Sequence, residues 1–96
     1  MSTNEIKNIV SKLFAGKPIS KAYLFGSALN SVDAANDIDI LLNLEPDNKF
    51  SLIDFSRLQI DLSDLLGKPV DLLTEDSVSP YIIPIIQKEK LLIYEK

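Results

Sequence analysis

Asp37 and Asp39 stand one residue apart in a run whose other members are mostly apolar, Ile38, Ile40, Leu41, Leu42 and Leu44. If that run is a strand, its side chains alternate. The two carboxylates then share a face, about 6.5 Å apart along the strand axis, while Ile38 and Ile40 turn towards a core. Two like charges beside low-dielectric walls repel each other and raise at least one pKa. Carboxylates rarely occupy such a place without a partner. Mg²⁺ reverses the penalty, because it takes hard oxygen ligands and accepts one or two carboxylates together with phosphate oxygens. The chemistry indicated is a metal–phosphate group above the strand. The other reading of an Asp-x-Asp pair is a turn cap or a solvated face.

Two further features bear on that choice. Gly26-Ser27 follows a short apolar run and precedes a possible short helix. A glycine lets a phosphate approach the backbone, free N–H groups at a helix start bind anions, and the serine hydroxyl adds a donor. The plain alternative for Gly-Ser is a turn. The second feature is Asp71, flanked by Val70, Leu72 and Leu73. Its carboxylate reaches the same face if its strand pairs beside the first; otherwise it is an edge-strand acid facing water.

Elements that could position these residues are legible along the chain. Ser2-Thr3-Asn4-Glu5 has the form of a capping box. Ile6, Ile9, Val10, Leu13 and Phe14 follow at helical spacing, so a helix is expected over 3–15, ended by Gly16 and Pro18. Lys21 to Gly26 reads as a first strand and Asp37 to Leu44 as a second, closed by the turn Pro46-Asp47-Asn48. Leu52, Phe55, Leu58, Leu62, Leu65 and Leu66 form a helical stripe behind a Ser51 cap, closed by Gly67 and Pro69. "PVDLLT" is a third strand, "SVSPYIIPIIQKEK" a short helix broken or kinked at Pro84, and "LLIY" a last strand or edge. The expected fold class is α/β (α+β), a mixed sheet with helices packed on it, in one domain over 1–96.

Composition narrows the functions. The chain has 96 residues, 46% hydrophobic and 25% charged, as for an ordinary soluble domain. It contains neither cysteine nor histidine, which removes disulfides, thiolate chemistry, histidine metal sites and Ser-His-Asp triads. The net charge is −4 with scattered basic residues, so long nucleic acid is not an expected partner. No apolar run approaches a membrane span and no secretory leader is visible; the expected location is the cytoplasm, with no membrane partner. Asp33, Asp47, Asp54, Asp61 and Asp64 read as solvated acids on turns or helix faces, and Tyr23 and Phe25 as core.

Gly26-Ser27, nine residues, then Asp37-Ile38-Asp39, with Val70-Asp71-Leu72 later, resembles the signature of the polymerase-β-like nucleotidyltransferases. The length resembles their minimal nucleotidyltransferase (MNT) group, and the likeness runs from Lys21 to the end. The resemblance implies a nucleotidyltransferase-type mixed sheet. Asp37 and Asp39 would hold two Mg²⁺ ions, Gly26 and Ser27 would contact the triphosphate of ATP or another NTP, and Asp71 would be a third ligand or general base. An acceptor hydroxyl would attack the α-phosphate and pyrophosphate would leave. The segment Ala28-Leu29-Asn30-Ser31 departs from the arginine-containing stretch of many minimal members. The only arginine is Arg57, in the long helix, and Lys17 and Lys21 lie near the loop.

The resemblance further implies a helical HEPN-like partner, with this chain as antitoxin, and AMP transfer to a protein hydroxyl. A second copy of the chain is the other candidate for completing the site. Ile82, Ile83, Ile85 and Ile86 span too much of a helix circumference for a one-sided face, so some could dock a partner or pack on the sheet edge. Two other functions stay open. One is nucleotidyl transfer to a small molecule such as an aminoglycoside, with Glu75 and Asp76 lining an acidic pocket. The other is an antitoxin that acts by binding alone.

Overall fold

The computed structural model describes the chain from Ser2 to Lys96, apart from the side chains of Ser27 and Asp76. Helix α1 spans Thr3–Phe14 and α2 spans Leu52–Leu66. Both start in reciprocal caps. The Ser2 hydroxyl accepts from the Glu5 N–H at 3.2 Å while Glu5 accepts from the Ser2 N–H. Ser51 and Asp54 repeat the arrangement at 3.1 and 3.0 Å. Asp54, expected to be a solvated acid, is thus half of a helix cap, and these bonds hold its carboxyl below the usual aspartate pKa. Gly67, left-handed at φ 70°, closes α2.

Strands β1 (Ile19–Phe25), β2 (Ile38–Leu44), β3 (Val70–Thr74) and β4 (Leu91–Glu95) form one mixed sheet in the order β3-β2-β1-β4. β2 runs antiparallel to β1 and parallel to β3, and β4 runs antiparallel to β1. The parallel pair β2–β3 is joined through α2, since parallel neighbours need a crossover. β1 starts two residues earlier than its sequence pattern indicated, and β2 starts one residue later, at Ile38.

One face of the sheet is closed. Ile38, Ile40 and Leu42 from β2 meet Leu24, Val70, Leu72 and Ile93, under Ile6, Val10 and Phe14 of α1 and Leu58, Leu62 and Leu66 of α2. Each such side chain contributes on the order of 1.5–3 kcal/mol when fully buried. The Phe14 ring meets Tyr94 edge-on, with centroids 5.2 Å apart. The α2 stripe is narrower than expected: Leu52 and Leu65 are exposed, at 86% and 53%. Leu58, Leu62 and Leu66, spaced by four, suffice to cover the sheet.

The opposite face is only partly covered. Helix α3 (Ile83–Lys88) lies there and buries Ile86 near Leu41. Pro84 does not break this helix but sits in its first turn, where no N–H is needed and its fixed φ suits helix entry. Ile86 packs inward while Ile82 and Ile85 stay exposed, so the isoleucine cluster divides between the two expected roles. Among the described residues, no helix is long and apolar enough to cross a membrane.

Candidate active site

Sheet register decides which acids meet. In the parallel ladder Asp39 lies opposite Asp71, and in the antiparallel ladder Asp39 lies opposite Phe25, the last residue before Gly26. Directly opposed residues share a face, so Asp71, Asp39 and Phe25 form one row across the open face. Asp71 is exposed and on an edge strand, as one reading had it, yet it faces the other acid and not water alone. Asp37 falls outside β2, in the exposed bend before it. The in-strand pair expected from Asp-x-Asp is therefore replaced by a cross-strand pair, Asp39 with Asp71, with Asp37 beside it.

Asp39 is half-buried and its pKa is raised. Burial is the largest cause, followed by the charge of Asp71 and then that of Asp37, with a hydrogen bond shared with Asp71 adding to the effect. A half-buried carboxylate facing a second acid is a chemically reasonable place for a cation.

The Gly26 loop presses on the same carboxylate. Gly26 adopts φ +77°, and a Cβ placed on it would lie 2.5 Å from Oδ2 of Asp39. Only glycine lets the backbone come so close. The loop continues as a 3-10 turn over Gly26–Leu29 and not as an α-helix, so it offers turn N–H groups without an extended helix dipole.

These features fit hard-cation chemistry. The donors are all carboxylate oxygens, their mutual repulsion is relieved by a cation, and a bare backbone stands next to them where phosphates could enter. Among the described residues no three acids converge into a ready-made cage.

Lys68, which the sequence did not single out, organises the approach to Asp37. Its ammonium donates to the carbonyls of Val32, Asp33 and Ala35, the last two at 2.8 and 2.7 Å. All three ammonium protons are thereby used to fix the loop that leads into β2. Nothing local marks this lysine, because its partners lie 33 to 36 residues away. Lys17 and Lys21, which were candidates near the loop, are engaged elsewhere: Lys17 donates to the Leu13 carbonyl at 2.6 Å, and Lys21 pairs with Glu95 at 3.4 Å. Tyr23 and Phe25 are half-buried on the open face and do not belong to the buried core.

The family profile described as "Nucleotidyltransferase domain" matches residues 3–93. The chain belongs to the nucleotidyltransferase domain family. This nucleotidyltransferase is 37% identical over 83 residues to a Methanocaldococcus jannaschii protein named "Putative protein adenylyltransferase MJ0435", covering 85% of this chain and 87% of that one. It also resembles a solved protein described as "putative minimal nucleotidyltransferase", with a TM-score of 0.74 at 26% identity and 95% of each chain covered. A third likeness is to a chain from the complex of tri-AMPylated Shewanella oneidensis HEPN toxin with MNT antitoxin. There the TM-score is 0.74 at 22% identity, over 99% of this chain and 74% of that one; at that identity it speaks for the fold. The nucleotidyltransferase fold expected from the Gly26-Ser27, Asp37, Asp39 and Asp71 pattern is the fold observed.

Proposed function

We propose that this nucleotidyltransferase, acting as one domain over residues 1–96, transfers AMP from ATP, with Mg²⁺, to a hydroxyl of a partner protein. The partner fits a helical HEPN-like toxin, with this chain as its antitoxin. The observation that carries the reading is Asp39, opposite Asp71 in the sheet and close against the Gly26 backbone. The name of the M. jannaschii relative and the AMPylated toxin in the structural neighbour support AMP and a protein acceptor.

In this reading Asp37 and Asp39 hold the metal, and Asp71 adds a third carboxylate. When bound, Mg²⁺ neutralises charge on the attacking and leaving oxygens of an in-line displacement. Gly26 and Ser27 contribute backbone N–H groups to the phosphates. Asp71, the most exposed edge of the row, receives the proton of the acceptor hydroxyl as its oxygen bonds to the α-phosphorus and the bond to pyrophosphate breaks. The sheet leaves this row open, so the partner supplies the far wall of the acceptor site.

The test is transfer of labelled AMP to a purified helical partner, with and without EDTA, by the unsubstituted chain and by Asp37→Asn/Asp39→Asn. Loss of transfer on the order of 10²–10³-fold or more is expected for the double variant. A double variant that still labels the partner at full rate would end the proposal. A double variant that labels nothing yet still neutralises the partner would favour binding alone over transfer as the antitoxin mechanism.

Small-molecule transfer has one observation in its favour. An open cavity of about 520 Å³ is lined by Glu45, Asp47 and Glu75; the side chain of Asp76, also expected there, lies outside the described residues. This cavity sits at the far end of β2, some four residues and thus about 13 Å from Asp39, a poor place for an acceptor. Labelling of an aminoglycoside in the same assay would reverse that preference.

A further inference from the structure

We propose that Lys90 is the cation that meets the phosphates of a nucleotide held at Gly26, an inference that rests on the nucleotide site described above. A polyphosphate carries several negative charges into a site whose own ionisable groups, Asp37, Asp39 and Asp71, are acids. Charge of the opposite sign must come from elsewhere on the same face.

Most nearby cations are committed. Lys17 and Lys21 are engaged as described, Lys68 is spent on three carbonyls, and Lys96 pairs with Glu45. Arg57 is exposed on α2, which covers the closed face. Lys90 is placed differently. It immediately precedes β4, whose Leu91 pairs with Leu24. Continuing that register sets Lys90 beside Phe25, in the row that holds Asp39 and Asp71. Its ammonium stands 4.0 Å from the centroid of the Tyr23 ring, a cation–π contact that keeps the charge over the open face.

An open cavity of about 520 Å³ begins there, lined by Gly26, Leu29, Asn30, Glu89, Lys90 and Leu91. Lys90 is the one cation among these lining residues. Glu89 shares the lining, so without the Lys90 ammonium the cavity would repel an anion. Position 90 lies two strand spacings, roughly 10 Å, from Asp39, with Phe25 between them in the row and the Gly26 backbone next to Phe25. A polyphosphate that begins at the acids and crosses Gly26 runs towards the ammonium. Lys90 is thus a phosphate-binding residue supplied by the opposite end of the chain from the Gly26 loop.

The experiment is calorimetric titration of the chain with ATP and with AMP, each with Mg²⁺, at two salt concentrations. Lys90→Met should weaken ATP binding roughly tenfold, the scale of one charge-assisted hydrogen bond, and AMP binding much less. Lys90→Arg should keep most of the affinity, and Lys49→Met, an exposed charge loss elsewhere, should change little. The salt dependence of ATP binding should flatten in Lys90→Met. As a check independent of substitution, Mg²⁺–ATP should protect Lys90 from acetylation in the unsubstituted chain. Equal ATP affinity for Lys90→Met and the unsubstituted chain, or Lys90 acetylated as fast with ATP as without, would overturn the role of Lys90 and leave the nucleotide site standing. An unsubstituted chain that binds neither nucleotide would remove the site and Lys90's role together.

Discussion

On one face of the sheet Ile38, Ile40 and Leu42 lie under α1 and α2, and among the described residues no buried one is polar or charged. On the other face, one residue over in the same strand, Asp39 stands half-buried against Asp71 and against the Gly26 backbone. The same strand therefore stabilises the fold with alternate residues and works against it with the rest. Burial of apolar area favours folding on the closed face. On the open face, partial burial of like charges costs stability and leaves a demand that a cation and a phosphate can meet. The proposed function uses the side of the sheet that the helices cover only in part.

Breaking the closed face should give the largest effect on stability. Phe14→Ala removes a fully buried ring that also supports Tyr94, at a cost of roughly 3–5 kcal/mol. Denaturant unfolding should show that loss, while nucleotide affinity per folded molecule stays close to normal. A variant that kept its stability and lost its nucleotide would contradict the division between the faces.

Gly26 and Gly67 sharpen the comparison, because their backbones are alike and their surroundings are not. Both have positive φ, +77° and +70°, but a Cβ at 67 meets nothing within 4 Å. Gly67→Ala should cost about 1–2 kcal/mol, the strain of an L-residue in the left-handed region. Gly26→Ala should cost more, since the methyl also displaces the Asp39 carboxylate, and should in addition weaken Mg²⁺-dependent nucleotide binding. Equal losses of stability, with binding intact in both, would mean the close approach to Asp39 has no role.

Lys68→Met tests the join between the two faces. Losing an ammonium from three carbonyls should cost about 1.5 kcal/mol, the low end for a lost charged hydrogen bond because water reaches part of the site. Amide exchange should rise over residues 31–38 with little change in the core helices. Uniform protection over that loop would show that Lys68 does not hold it.

The smallest effect has the opposite sign. The folded-state pKa of Asp39 is raised, so the native state binds its proton more tightly than the unfolded chain does. That contribution is fully present below the ordinary aspartate pKa and is lost as pH rises through the raised one. Without Mg²⁺ at neutral pH, Asp39→Asn should therefore raise the melting temperature slightly and flatten its dependence on pH across the carboxylate range. A lower melting temperature for Asp39→Asn in EDTA would show that the repulsion is not what burial and Asp71 impose there.

Local rules account for much of what was legible. The Ser2–Glu5 cap, the Ser51 N-cap and the Gly67 stop depend on residues within four positions of one another, and they formed as expected; the alternation along β2 holds at Ile38, Asp39 and Ile40 but leaves Asp37 outside the strand. The extra apolar residues were misleading. Leu52 and Leu65 match the helical period, but the sheet under α2 is covered by Leu58, Leu62 and Leu66 without them. From sequence Pro84 suggests a break or kink, because sequence alone does not locate the helix start, which comes at Ile83.

Residue types and short spacings by themselves determined the list of acids, the glycine before them and the class of the fold, because charge and side-chain alternation are properties of a few neighbouring residues. Only the tertiary structure decided the partners. Parallel pairing through α2 put Asp71 opposite Asp39 and left Asp37 in the bend. The folding of distant segments brought Lys68 to the 32–35 carbonyls and Lys90 to the Gly26 cavity. Register and long-range contact are set by how the whole core closes, and no stretch of a few residues contains that information.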